Sequence, residues 1–311
     1  MSYAPVVMFV YNRADHFKKT VEALAKCKEA KESELFIFSD APKDNKAKAD
    51  VEKVRNLAHN IENSDMFLSV TVKESEKNKG LANSVISGVS DVIEKYGKAI
   101  VVEDDCVASQ YFLSFMNDCL DRFKDDKRIG SVAGYAPPIE FPKEYTSDIF
   151  TAYRSCSWGW ATWEDRWQNV DWNLTSINEL YNSKRLLKML NSNGTDRFIR
   201  LYRQTKANKN SWSVKFGYHL VKNNMLTVYP RYSYIENIGC DGTGVHSKSG
   251  DYKTVNSDLS KSIKSPHIEF VLPDKKIQKT MKKFYSGGLI SNVKRTIATK
   301  AIIIRGKNNL R

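Results

Sequence analysis

KAIVVEDD, residues 98–105, is an apolar run that ends in three consecutive carboxylates. Ile100, Val101 and Val102 are β-branched and lack polar neighbours, the mark of a strand covered on both faces. Glu103, Asp104 and Asp105 at its end are costly there unless they meet a cation. Upstream, KGLANSVISGVSDVIEKYG (79–97) has helical spacing and closes on Gly97 as a C-cap. MFLSVTV (66–72) is a further strand, and a long polar helix covers roughly 44–63. LFIFSD (35–40) and PVVMFVY (5–11) complete the strands. Between those two, DHFKKTVEALAKC (15–27) puts Phe17, Val21, Leu24 and Ala25 on one helix face behind Asp15 as a cap. Strand and helix alternate up to residue 105, which predicts an α/β fold with a mostly parallel sheet.

Such sheets bind ligands at the carboxyl ends of their strands. The polar residues found there are Asn12 and Arg13, then Ser39 and Asp40, then Glu103, Asp104 and Asp105. Clustered carboxylates are hard oxygen ligands suited to Mg²⁺ or Mn²⁺. The permanent charge of Arg13 suits phosphate oxygens. Asp40 can accept a hydrogen bond from a base or ribose, or cap a turn. NKGLANS (78–84) joins a glycine to a helix start, a setting that binds phosphate. Beyond residue 106 the pattern is less regular. QYFLSFMNDCLDRFKD (110–125) is a helix, RIGSVAGY (128–135) a strand, and GCDGTGVH (239–246) a glycine-rich loop. Trp160, Trp163 and Trp167 are at helical spacing, which assigns at least half of the tryptophans near residue 160 to the core.

The chain has 311 residues, 41% of them hydrophobic, ample for one large domain to about residue 270. Its five cysteines are scattered, which argues against zinc and for a reducing, cytoplasmic setting. The N-terminus has no basic stretch before its apolar run and reads as a strand, not a signal peptide. The net charge is +13, and residues 275–311 hold eight Lys, three Arg and no acid. That segment carries +11, leaving +2 for the rest. No GxSxG, GxxxxGK[ST] or GxGxxG pattern occurs, which counts against hydrolase, P-loop and dinucleotide readings.

Taken in order, PVVMFVYNRADHFKKTVEAL, FIFSD, NKGLANSVISGV, AIVVEDDCVAS, YRSCSWGWATWEDRW and LTVYPRYSYIENIGCDGTGVH resemble the bacterial GT-A glycosyltransferases related to N-acetylglucosaminyltransferase I. The likeness covers roughly residues 4–247. It implies a nucleotide-diphospho-sugar transferase-like fold with a nucleotide-sugar-binding half (1–106) and an acceptor half (107–270). It also implies transfer from a nucleotide-sugar, most often a UDP-sugar, to a glycan or lipid-linked glycan in cell-surface polysaccharide synthesis. By position, Asp105 would be the metal ligand, with His246 as a second contact. Glu103 and Asp104 would hold ribose, donor sugar or metal-bound water. Arg13 would face the diphosphate and Asp40 the nucleobase, with Tyr11, Asn78 and Gly80 as further donor-binding residues. Trp158 and Gly159, within the segment 157–167, would wall the donor sugar. Inverting relatives carry an aspartate just before an SW pair. This chain has Asn210-Ser211-Trp212, and asparagine cannot be a general base. Asp165, Glu164 and Asp241 are the candidates left for that proton.

Two other classes compete. Sugar nucleotidyltransferases share the sheet and the acidic metal site, but YNRAD lacks their glycine-rich loop. A nucleic-acid-binding reading would use the basic tail, whose only aromatics are Phe284 and Tyr285, a poor stacking platform. Within 271–311, Ile277, Met281, Phe284 and Tyr285 recur at helical spacing, as do Leu289, Val293, Ile297 and Ala301. Lysines fill much of the remaining face. That pattern fits peripheral docking on the anionic inner face of a membrane.

Overall fold

The computed structural model describes residues 2–205, 209–241 and 257–308. In chain order its first third is β1 (Val6–Val10), α1 (Ala14–Ala25), β2 (Glu34–Ser39), α2 (Lys48–Glu62), β3 (Ser69–Glu74), α3 (Leu81–Tyr96) and β4 (Lys98–Glu103). β3, β2, β1 and β4 lie side by side and every pair is parallel. Successive side chains of a strand face opposite ways, so β1 feeds two cores. Val6, Met8 and Val10 pack with Phe17, Val21 and Leu24 of α1 and with Val54 and Ala58 of α2. Val7 and Phe9 pack with Val85, Val89 and Val92 of α3 on the other face. The expected cap at Gly97 is present: its φ is 72° and its N–H donates to the Ile93 carbonyl at 2.8 Å. The expected cap at Asp15 is not, because α1 begins one residue earlier and Asp15 sits in its first turn.

The remainder runs β5 (Cys106–Ala108), α4 (Phe112–Phe123), β6 (Ile129–Ala133), β7 (Ile149–Ala152), β8 (Trp160–Trp163), α5 (Glu164–Trp167), α6 (Asn178–Asn182), α7 (Lys184–Leu190), α8 (Asp196–Gln204), α9 (Trp212–Lys222), β9 (Leu226–Pro230), β10 (Ile235–Asn237), α10 (Lys275–Ser286) and α11 (Leu289–Asn308). The main sheet has eight strands in the order β3-β2-β1-β4-β8-β6-β9-β7. β8 runs against both β4 and β6, and β7 against β9. The other six strands point one way, so the sheet is mixed and mainly parallel, as the first hundred residues predict. β5 and β10 form a separate antiparallel pair beside it.

The tryptophans correct the helical reading of 160, 163 and 167. Trp160 and Trp163 are on a strand, three residues apart, and therefore face opposite cores. Trp160 stacks on Trp212 at 4.8 Å and lies tilted against Trp167 at 5.5 Å. All four are buried, and of the expected sugar-facing wall only Trp158 remains half-exposed. The C-terminal segment also packs more closely than a detachable tail would. Ile277 and Met281 of α10 are fully buried against Phe150 and Tyr229.

Candidate functional site at the acidic strand ends

β1, β2 and β4 end level with one another: Phe9 pairs with Glu103, and Val10 with Ser39. The next residues of each strand are thus delivered to one edge. The Asp104 N–H donates to the Phe9 carbonyl at 3.1 Å, and Thr20 of α1 donates to the Asp104 carbonyl at 2.8 Å. Arg13 enters from the turn before α1. Its guanidinium bonds both oxygens of Asp104, with Nε 3.3 Å from Oδ2 and Nη2 on Oδ1. Nη2 also donates to Asp105 Oδ2 at 2.8 Å. Among the described residues, Nη1 is buried without a hydrogen-bond partner. A buried guanidinium N–H with no acceptor among those residues is left for an anion or a water to take.

The electrostatics of this edge are unbalanced. Three carboxylates meet one guanidinium. Burial pushes the Asp104 carboxyl up to about 6, against the pull of Arg13. Burial, then Asp105 and Asp104, drive Glu103 well above the carboxylate range. The Glu103 side chain makes no hydrogen bond or ion pair among the described residues. Burial works against the Arg13 charge, but Asp104 and Asp105 more than offset it, so Arg13 is held charged. The donors are all hard oxygens, and ionising all three against one guanidinium would leave a deficit of charge that a divalent cation matches. Among the described residues, no group of three or more His, Cys, Asp or Glu is arranged so that it could by itself hold a metal ion. Mg²⁺ and its like do not require one, because substrate phosphates and water complete their shell. Hard oxygen donors are thus what this edge offers a divalent cation such as Mn²⁺ or Mg²⁺.

β10 closes the site from the far end of the chain. Asn237 donates to Asp105 Oδ1 at 3.0 Å, and the Ile238 N–H donates to the Asp105 carbonyl at 2.9 Å. Gly239 follows. A Cβ on Gly239 would fall 2.1 Å from Asp105 Oδ2 and 2.9 Å from Arg13 Nη1. Only a glycine lets this backbone pass. Gly239→Ala should therefore cost about 1–3 kcal/mol through overpacking. Thermal unfolding checks it, and a variant as stable as the wild type would refute the crowding.

The other expected donor contacts fall into two groups. Asp40, Asn78 and Gly80 come together, but Asp40 is committed to the protein. Its Oδ1 accepts from the Lys79 and Ala41 N–H groups, both at 2.9 Å, and Oδ2 accepts from Gly80 at 2.8 Å. It braces the start of α3, where Gly80 has φ 72°, which is the turn-capping alternative for this residue. Asn78 Nδ2 donates to the Ala41 carbonyl at 2.6 Å and holds the same loop. The Tyr11 hydroxyl accepts from the Lys43 N–H at 3.0 Å. Gly159 has φ 57° and lies against Ile235 of β10, beside the edge. Trp158 packs edge-on against Tyr135 at 4.7 Å.

Of the three candidate bases, one reaches the acidic edge. Asp241 follows Gly239 by two residues, and its Oδ2 is 3.2 Å from His16 Nε2. Glu164 and Asp165 do not reach it, because β8 is antiparallel to β4. Trp163 pairs with Lys98, and the Glu164 N–H donates to Gly97, at the opposite end of β4 from Glu103. At 3.3 Å per residue the separation is about 17 Å. Asp165 there pairs with Lys127 and Arg166. A depression of about 360 Å³ at that far edge is lined by Tyr96, Lys98, Asp121 and Trp163 and contains no acidic cluster. Asn210, which replaces the expected acid, bonds Asn83 at the start of α3. His246 lies outside the described residues, as do Gly242 and Gly244. Nothing local in NIGCDG signals that Asn237 and Gly239 meet a triplet some 130 residues away.

No protein-family model matches this chain, and no curated protein matches it. Among solved structures, S. aureus TarS 1–349 superposes on 74% of this chain and 59% of its own, at 12% identity and a TM-score of 0.41. The same fragment in complex with UDP-GlcNAc covers 75% and 57%, at 14% identity and a TM-score of 0.40. S. aureus TarS covers 74% and 36%, at 14% identity and 0.39. The chain thus spans 59% or less of the length of these proteins. With superpositions of this quality, the assignment rests on the chain's own residues.

Proposed function

We propose that the acidic strand ends form the donor site of a GT-A-type glycosyltransferase that takes its sugar from a nucleoside-diphosphate carrier, a UDP-sugar by the resemblance in sequence. The observation that carries this reading is the buried, unpartnered Nη1 of Arg13 among Glu103, Asp104 and Asp105 at the carboxyl edge of parallel strands. A departing diphosphate is stabilised by a fixed cation and by a metal held on carboxylates, and Arg13 after β1 meets Asp105 after β4 at one sheet edge. Mn²⁺ or Mg²⁺, held by Asp105 with Glu103 beside it, would supply Lewis-acid neutralisation of the departing diphosphate. Arg13 offers a charge-assisted hydrogen bond to the phosphate oxygens. Asp104 holds the Arg13 fork in place from below. Asn237 and the Ile238 N–H keep Asp105 in place. Trp158 offers a ring face for the apolar side of a sugar. Asp241 is the one candidate base at this edge, and it would take the proton from the acceptor hydroxyl. The acceptor in this reading is a glycan or lipid-linked glycan.

The test is Mn²⁺-dependent hydrolysis or transfer from a panel of nucleotide-sugars, with ligand-induced thermal shift as the parallel readout. Absence of any shift and of any turnover across the panel overturns the reading. Within it, Arg13→Ala should weaken nucleoside-diphosphate binding by about tenfold or more, since a hydrogen bond to a charged group is worth about 1.5–3 kcal/mol. Calorimetry with the nucleoside diphosphate measures this, and an unchanged affinity would remove Arg13 from the site.

A further inference from the structure

α11 is apolar on two sides. On its inner side, Ile302 and Ile303 pack into the cluster of Leu180, Phe198 and Leu201, Thr299 is buried, and Gly306 lies against the ring of Tyr181. On its outer side, Leu289, Ile290, Val293, Ile297 and Ile304 are 80%, 72%, 50%, 63% and 61% exposed. At about 100° per residue these five fall within an arc of roughly 100°, turned away from Thr299 and Gly306. The stripe therefore belongs to none of the protein's cores. Lys294, Lys300 and Arg305 are exposed within and beside it, and no acid occurs after Asp274. α10 contributes no second stripe of this kind, because Ile277 and Met281 are spent on the body.

We propose that the outer stripe of α11 seats on the surface of an anionic lipid bilayer. A helix with an apolar stripe among cations lies in the interface plane, its apolar side chains among the acyl chains and its lysines at the headgroups. No helix among the described residues is long and apolar enough to cross a membrane, so α11 lies on the surface and does not span it. Charge selects this occupant over a second copy of the chain. Two such stripes face to face would set Lys294, Lys300 and Arg305 against their own equivalents with no acid to pair them. The inference depends on α11 and its packing alone, so it stands or falls apart from the sugar-transfer reading.

Deleting the tail is a poor test, because α10 is part of the core. The test is co-sedimentation of the full chain with vesicles of phosphatidylglycerol and phosphatidylcholine, and with phosphatidylcholine alone. The wild type should bind the first, lose binding as salt rises, and ignore the second. Ile290→Gln/Val293→Gln/Ile297→Gln should weaken binding by about tenfold or more, and Lys294→Gln/Lys300→Gln/Arg305→Gln by a similar factor. These side chains are solvent-exposed, so thermal unfolding of both variants should match the wild type. Undiminished vesicle binding by the stripe variant overturns the proposal. So does a wild-type dimer, seen by sedimentation equilibrium, that the stripe variant dissociates.

Discussion

Asp105→Asn should lower nucleotide-sugar turnover by about two to three orders of magnitude, the usual cost of removing one preorganised electrostatic group from a reaction centre. The substitution keeps the shape and removes the charge. An amide oxygen can still accept from Asn237, and Arg13 keeps its two contacts with Asp104. What disappears is the carboxylate that faces Arg13 at 2.8 Å and would hold the metal. Because the fold retains its packing at this point, the melting temperature should move by only a few degrees, equivalent to about 1 kcal/mol. Release of nucleoside diphosphate with Mn²⁺ present, set beside thermal unfolding of the same preparations, separates the two effects. Turnover within threefold of the wild type would remove Asp105 from the reaction.

The strand ends were legible because each obeys a local rule. PVVMFVY, LFIFSD and KAIVVEDD are continuous apolar runs, the pattern of strands buried on both faces, and each passes into polar residues where the sheet stops. Placing Arg13 and Asp105 at one edge required no more than parallel pairing. The direction of β8 was not legible. WATW looks alike read either way along a sheet, and only its pairing with β4 sends Glu164 and Asp165 to the wrong end. The role of Asp40 was hidden for a different reason. A carboxylate that caps Lys79 and Gly80 and one that faces a base have the same sequence signature, and the distinction lies in a loop contact 40 residues away. Asn237 and Gly239 reach Asp105 only because β10 pairs with β5. That pairing is tertiary and leaves no periodicity to find.

The largest effect on stability should come from Asp196→Asn, about 3–5 kcal/mol, because it strands a buried guanidinium. Arg154 is 6% exposed and makes a bidentate contact with Asp196, at 2.9 and 3.1 Å. It also lies over the ring of Tyr285 at 3.7 Å, which ties the loop before β8 to α10. Burial alone would raise the Asp196 carboxyl. Arg154, with Arg200 and Arg197, more than reverses that and holds it at about 2. Burial and the neighbouring Arg154 also pull Arg197 down to about 9, so this pocket already carries more positive charge than it tolerates easily. Without the carboxylate, Arg154 and Arg197 would confront each other with no anion between them. The sign with pH follows from the depressed carboxyl. The pair stabilises the fold in full above the ordinary aspartate value and is lost as pH falls from there through about 2. Denaturant unfolding at neutral pH should therefore show the full deficit, and the gap between variant and wild type should narrow as the acid range is approached. Arg154→Met added to Asp196→Asn should recover part of the loss, since removing both partners leaves no unpaired charge. A deficit below about 1 kcal/mol, or no recovery in the double variant, would show that the pair does not hold this half of the protein together.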